Sequence, residues 1–172
     1  MFCDVAYIIY AATVWTAVFL FVGRRLAYMW KPGIIGVGLM MLVDYFGTEY
    51  NFYKYLEGIF YLGKLPVFHI IGTYAVSILY FNWLPPRWSG RALYIIYVST
   101  LLLGLEAYMH FTGALVYPQW KLWYSYFLVA SGLVLITYLS DKLGLLNKIT
   151  ALPAVPSCRR RNPEARISKR GP

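Results

Sequence analysis

Four ionisable side chains interrupt otherwise apolar stretches of this chain: Asp44, His69, Glu106 and His110. Two carboxylates and two imidazoles are a set able to hold a divalent cation, and a histidine beside a buried carboxylate can relay a proton or act as a general acid and base. Glu106 and His110 stand four residues apart, on one helical face, with Ser99 about two turns further along it. His69, Thr73, Ser77 and Tyr80 form a second stripe, which must point into a bundle because lipid cannot satisfy it. The spacing matches no established metal motif. Glu106-x-x-x-His110 differs from the Glu-x-x-His of di-iron bundles, and no His-Glu-x-x-His occurs. Met40 and Met41, one turn from Asp44, read as packing residues rather than soft ligands, so no metal site is assigned and any cofactor stays unknown. The same four residues also fit a purely architectural role, as interhelical hydrogen bonds that fix packing.

The elements that must position them are helices in a bilayer. Of the 172 residues, 60% are hydrophobic and 13% charged, against about 45–50% and about 25% in soluble domains. Apolar runs at Val5–Val22, Gly33–Phe46, Leu65–Leu84, Ala92–Phe111 and Leu122–Leu139 are expected to be transmembrane helices, each weighed against the roughly 20 residues that cross a membrane. The second run is short, with Pro32 read as a first-turn residue and room to extend through Thr48 to Tyr50. The expected fold is therefore all-α, a polytopic bundle of five transmembrane helices. Charge sets its orientation. With the N-terminus out and the C-terminus in, the inner segments hold Arg24, Arg25, Lys31, Arg87, Arg91 and the eight basic residues after Ser140, while the outer ones hold only Lys54, Lys64 and Lys121. Alternating spans then bring Asp44, His69, Glu106 and His110 into the outer half of the membrane, where each ionisable group at the bilayer centre would cost about 2.5–3.5 kcal/mol.

Other features bound the function classes. No segment carries a catalytic or nucleotide-binding signature. The net charge of +9 is unevenly spread, which makes it an orientation signal and argues against nucleic acid as a partner. Cys3 and Cys158 form neither a disulfide framework nor a metal motif. The N-terminus lacks a basic signal-peptide region, so the first helix is expected to be retained, and no Asn-x-Ser/Thr acceptor is present.

The aromatic segment Thr48–Lys64, TEYNFYKYLEGIFYLGK, is expected to lie on the outer surface as an interfacial helix, an aromatic belt in preference to a ligand-binding lid. Trp120, Trp123 and Tyr124 read as interface anchors beside the snorkelling Lys121, with a cation-binding aromatic wall as the alternative. Pro85-Pro86 forces a tight reversal. Gly36, Gly38, Gly72, Gly104 and Gly132 are expected to let helices approach closely, within one chain or between copies. Residues 1–152 form the helical domain. Residues 153–172 read as a disordered basic tail, in which Arg159, Arg160, Arg161, Arg166, Lys169 and Arg170 attract anionic lipid of the inner leaflet at about 1 kcal/mol per residue near the surface.

An acid late in the second span (Asp44), a Tyr-rich loop before Leu65-Pro66, an acid in the penultimate span (Glu106) and Trp120-x-x-Trp123-Tyr124-Ser125 opening the last helix come in a distinctive order. From Gly33 to Leu139 this order resembles a family of small uncharacterised multipass membrane proteins found chiefly in spore-forming Firmicutes. Members carry a basic residue or histidine after the Trp-Tyr pair, where this chain has Ser125 and Tyr126. The resemblance implies a bacterial cytoplasmic membrane and no established activity. The leading functional expectation is a non-enzymatic scaffold or partner subunit, associating with membrane lipids, another membrane protein or copies of itself. A proton- or cation-coupled transport component, or a membrane-embedded metalloenzyme, using the Asp/Glu/His cluster is the alternative.

Overall fold

The computed structural model describes residues 4–56 and 58–146. The chain is all-α. Helix α1 (Asp4–Phe21) passes through a single 3-10 turn at Gly23–Arg25 into α2 (Leu26–Glu49); α3 (Val67–Asn82), α4 (Trp88–Phe111) and α5 (Leu122–Lys142) follow. The two-residue strands β1 (Lys54–Tyr55), β2 (Tyr61–Leu62), β3 (Leu65–Pro66) and β4 (Leu115–Val116) lie in the connections after α2 and α4.

Several boundaries differ from the sequence reading. Helix α2 begins at Leu26 rather than Gly33, so Pro32 sits inside it, fully buried. A proline there removes one backbone hydrogen bond, and the short 3-10 connection leaves the chain nowhere else to go. Helix α3 begins at Val67, because Leu65-Pro66 is taken by an antiparallel pairing with Tyr61-Leu62, and Pro66 caps the helix in extended conformation. The Thr48–Lys64 segment forms no helix beyond the end of α2 at Glu49. Its described residues fold into turns and short strands. The basic tail, Arg159, Arg160, Arg161, Arg166, Lys169 and Arg170 included, lies outside the described residues, as does the 152/153 boundary.

Helices α2, α4 and α5 are long and apolar enough to cross a membrane. At about 1.5 Å per residue, the 24 residues of α2 and of α4 reach about 36 Å, the 18 of α1 about 27 Å and the 16 of α3 about 24 Å. Helix α3 packs on α1 and α2, α2 also packs on α5, and α5 packs on α4. The helices alternate in direction, so the starts of α1, α3 and α5 share one end of the bundle with the finishes of α2 and α4. Two apolar clusters fill it. One, built on Val18, Met29, Ile78, Phe81, Ile95 and Ile136, closes the far end. The other, Tyr7, Tyr10, Tyr53, Met109, Ala114 and Leu115, lies at the near end under the connections. Outward faces stay apolar, with Phe19, Leu20, Leu93, Phe111 and Phe127 more than half exposed.

Polar fastenings cross the far half. The hydroxyls of Tyr80 and Thr137 meet at 2.6 Å, Tyr94 donates to the Tyr80 carbonyl at 3.1 Å, and buried Arg91 donates to the Pro85 carbonyl and reaches Asp141 at 3.3 Å. Of the glycines expected at helix contacts, Gly36 and Gly72 are in close approach, to Ser77 and Tyr10 respectively, while Gly38, Gly104 and Gly132 face open space. A methyl at Gly72 would collide with the Tyr10 ring. Gly72→Ala should therefore lower stability by about 1–3 kcal/mol through overpacking. Gly104→Ala should raise it by up to about 1 kcal/mol through helix propensity. Thermal unfolding of the two variants in detergent, read by loss of helical signal, checks the opposite signs.

Candidate functional site in the bundle interior

Two helices bring a carboxylate to the near end, and each ends in the same way. After α2, Asn51 adopts the left-handed conformation (φ 63°), with Asn51 N–H bonded to the Thr48 carbonyl and Phe52 N–H to that of Gly47. After α4, Gly113 does so (φ 80°), with Gly113 N–H bonded to the His110 carbonyl and Ala114 N–H to that of Met109. Both are Schellman caps, which satisfy the last carbonyls and throw the chain back over its own helix. The returning segments then pair, Lys54 opposite Val116 and Tyr55 opposite Leu115. The Leu56 N–H donates to the Ala114 carbonyl on one side of this pairing and the Gln119 N–H to that of Phe52 on the other.

Each reversal delivers a tyrosine to the carboxylate of the helix it has just left. Tyr53 donates to Asp44 Oδ1 at 2.8 Å, its ring lying so close over Gly47 that any side chain there would collide. Tyr117 donates to Glu106 Oε1, which also accepts from the Ser125 hydroxyl, and Trp120 Nε1 donates to Ser125 Oγ at 2.8 Å. The Tyr53 and Trp120 rings meet edge to face at 5.9 Å, which joins the two halves. From α1, Tyr7 donates to the Ala114 carbonyl at 2.6 Å.

His69, in the first turn of α3, completes the arrangement. Its Nε2 stands 3.3 Å from Asp44 Oδ2 and 3.3 Å from the Tyr55 hydroxyl. The Tyr7, Tyr10 and Tyr55 rings lie 5.0–6.1 Å from its own. A neutral imidazole with its proton on Nδ1 accepts from Tyr55 through Nε2; an imidazolium presents an N–H to the carboxylate instead. Whether Nε2 carries a proton, as in the imidazolium or the Nε2–H tautomer, decides whether it accepts from Tyr55 or donates. Asp44 is only 7% exposed, and its Oδ2 accepts no hydrogen bond among the described residues.

Asp44, His69 and Glu106 border one cavity of about 240 Å³ in the middle of the bundle. Thr73, Ser77 and Tyr80 border it too, so the polar stripe of α3 faces inward. His110 does not join them. It is exposed, its Nδ1 lies 2.9 Å from the Leu115 carbonyl, and its ring stacks on Tyr117 at 4.5 Å, where it buttresses the phenol that holds Glu106. Ser99 is fully buried away from the cavity. Trp123 and Tyr124 are exposed at the start of α5, whereas Trp120 turns inward onto Phe52, Tyr53 and Ser125. Among the described residues no three His, Cys, Asp or Glu side chains group closely enough to hold a metal ion. Tyr53 and Tyr55 were not singled out from sequence, although the density of tyrosine after Thr48 was their signal, and Tyr117 and Ser125 were not expected as partners of Glu106.

Comparison with protein-family models, with curated proteins and with solved structures returned no match to this chain.

Burial raises the phenols of Tyr53, Tyr55 and Tyr117 above the ordinary value of 10.0, and the negative charge of Asp44 raises the first two further, as Glu106 does the third. An unfolded chain would release these protons near 10, whereas the folded chain keeps them. Stability should therefore be unaffected below about pH 9 and fall as pH rises through 10 and beyond. Absorbance titration of phenolate formation, followed with helical signal, should show these three ionising only as the fold is lost; their early titration on an intact fold would contradict the geometry.

Proposed function

We propose that this chain is a five-span protein of the bacterial cytoplasmic membrane, N-terminus outside and C-terminus inside, and that it works as a proton-coupled transport component. One observation carries the reading: the shared position of His69 Nε2 between a buried carboxylate and a phenol, at the wall of an interior cavity. With a proton on Nε2 the imidazole can no longer accept from Tyr55 and turns a donor toward Asp44 3.3 Å away, so a proton arriving or leaving changes how the near-end connections are held. Glu106 supplies a second carboxylate across the cavity. The apolar plug at the far end keeps the cavity from running straight through the bundle, as access from one side at a time requires.

The span number and orientation are supported by the alternation of the five helices and by the gathering of basic residues in the segments assigned to the inside. Helices α1 and α3, the two shorter ones, pack on each other and reach the membrane as a pair. In this reading the basic tail meets anionic lipid of the inner leaflet. A role as a partner subunit or scaffold makes no demand on the interior, and it is the interior that carries a buried carboxylate, Asp44, and a half-buried one, Glu106, at an energetic cost.

Protein reconstituted in vesicles should take up protons when a potassium diffusion potential drives them, read with an enclosed pH dye. Asp44→Asn and Glu106→Gln should each abolish the flux while leaving the yield of monodisperse protein unchanged, and Trp123→Phe should leave it intact. Flux that persists in Glu106→Gln, or wild-type vesicles no more permeable than empty ones, would overturn the reading.

A further inference from the structure

The cavity is larger than a proton path needs and its walls suit something other than water. About 240 Å³ is the liquid volume of roughly eight waters at about 30 Å³ each, and a buried water wants two to four polar partners. Leu39, Val43, Leu102, Leu105, Leu128 and Val129 provide none. Tyr7, Tyr10, Tyr53 and Tyr55 gather around Asp44 and His69 at one end, and Thr73, Ser77 and Tyr80 continue a polar stripe along α3. Most donors and acceptors there are spoken for: Asp44 Oδ1 by Tyr53, the Tyr7 hydroxyl by Ala114, and Glu106 Oε1 by Tyr117 and Ser125. Asp44 Oδ2 is held less firmly: it is buried without a hydrogen bond of ordinary geometry among the described residues, with His69 Nε2 at 3.3 Å. A buried carboxylate oxygen in that state lacks a donor, and a cationic one satisfies it best.

We propose that the cavity takes a small lipophilic organic ammonium ion, its cationic head on Asp44 Oδ2 among the tyrosine rings and its apolar body along the leucine and valine wall. This deepens the transport reading and rests on it for the ionised state of Asp44. The chemistry selects among ligand classes. An anion would meet two carboxylates. A bare metal ion would need several oxygen ligands, which the wall does not offer. A neutral apolar molecule would fill the wall and leave Oδ2 without a donor. An ammonium ion supplies the donor and the charge, and aromatic faces around the head add cation–π attraction. Its arrival beside Asp44 puts a positive charge next to His69 Nε2, 3.3 Å from Oδ2, so the ammonium and a proton on His69 disfavour each other. Among the described residues the titratable groups facing His69 are phenols and acids: Tyr7 and Tyr10 from α1, Asp44 from α2, Tyr55 from β1, and Glu106 from α4 across the cavity. Among the described residues no Lys or Arg borders the cavity to take the place of the incoming cation.

The full chain in detergent, titrated calorimetrically with 2-phenylethylammonium and with its neutral counterpart 2-phenylethanol, tests this without any flux measurement. The ammonium should bind more tightly than the alcohol by roughly 30-fold or more, the loss that follows from removing one partner of a buried charge pair. Asp44→Asn should abolish that preference while keeping the alcohol's affinity, which also reports an intact cavity. If Asp44→Asn does not fold, the wild-type contrast between the two probes decides alone. Equal affinity for the two, no ammonium binding, or a preference that survives Asp44→Asn overturns the proposal. Proton flux without ammonium preference would sink this inference and leave the transport reading standing; ammonium preference without proton flux would do the reverse.

Discussion

A carboxylate buried among apolar helices must be given hydrogen-bond donors, and in this bundle that requirement shapes everything at one end. Asp44 and Glu106 sit near the ends of α2 and α4, the first buried and the second half-buried, with no lysine or arginine at the cavity among the described residues. Each is served by a tyrosine from the connection that follows its own helix. A returning tyrosine needs a helix that stops abruptly and a chain that reverses, which Asn51 and Gly113 provide in the left-handed conformation. Two reversals at neighbouring helix ends lie side by side, and their backbones pair as β1 and β4. The roof of the cavity is thus a consequence of how the acids beneath it are satisfied.

Two further acids among the described residues show that this is a choice of chemistry rather than a shortage of bases. Asp141 meets Arg91 at the far end, and Glu49 meets Lys64 in an exposed pair between the end of α2 and the β2–β3 turn. Those are permanent ion pairs, of which the exposed one contributes little to stability. At the cavity the partners are phenols, a serine and an imidazole. Such partners hold a carboxylate without neutralising it, and leave its charge available to a proton or a cation that comes and goes. That distinction is the physical basis for reading the interior as a binding site rather than as packing alone.

Much of this was legible in the sequence, for identifiable reasons. Ionisable residues in apolar runs stand out by their energetic cost, so Asp44, His69 and Glu106 could be named, and alternation of the spans put them at one end. His110 satisfied the same criterion, but helical spacing cannot tell which of two residues on a face turns inward at a helix terminus. The Schellman cap there turns His110 toward the Leu115 carbonyl and Tyr117 toward Glu106. The tyrosine partners were hidden because they depend on chain reversals, and aromatic density alone suggests a membrane-surface helix. Trp120 read as an anchor like Trp123 for the same reason; only the contact with Ser125 separates them. The early start of α2 was missed because proline was taken as a boundary, although one lost backbone bond is tolerable inside a packed helix.

The claim on which this account depends is that the connections after α2 and α4 pair over the cavity and so bring the two carboxylates to one chamber. Cysteines at Lys54 and Val116, in a chain whose Cys3 and Cys158 are replaced by serine, test it at two exposed positions away from the site. Facing residues of an antiparallel pair stand about 4.5–5.5 Å apart at Cα, inside the roughly 4.4–6.8 Å that a disulfide spans. Mild oxidation should consume both thiols within one chain, as read by lost maleimide labelling at unchanged monomer mobility, while either single variant keeps its thiol. Two thiols that persist in the double variant, or that join only between chains, would contradict the paired roof and the shared cavity beneath it.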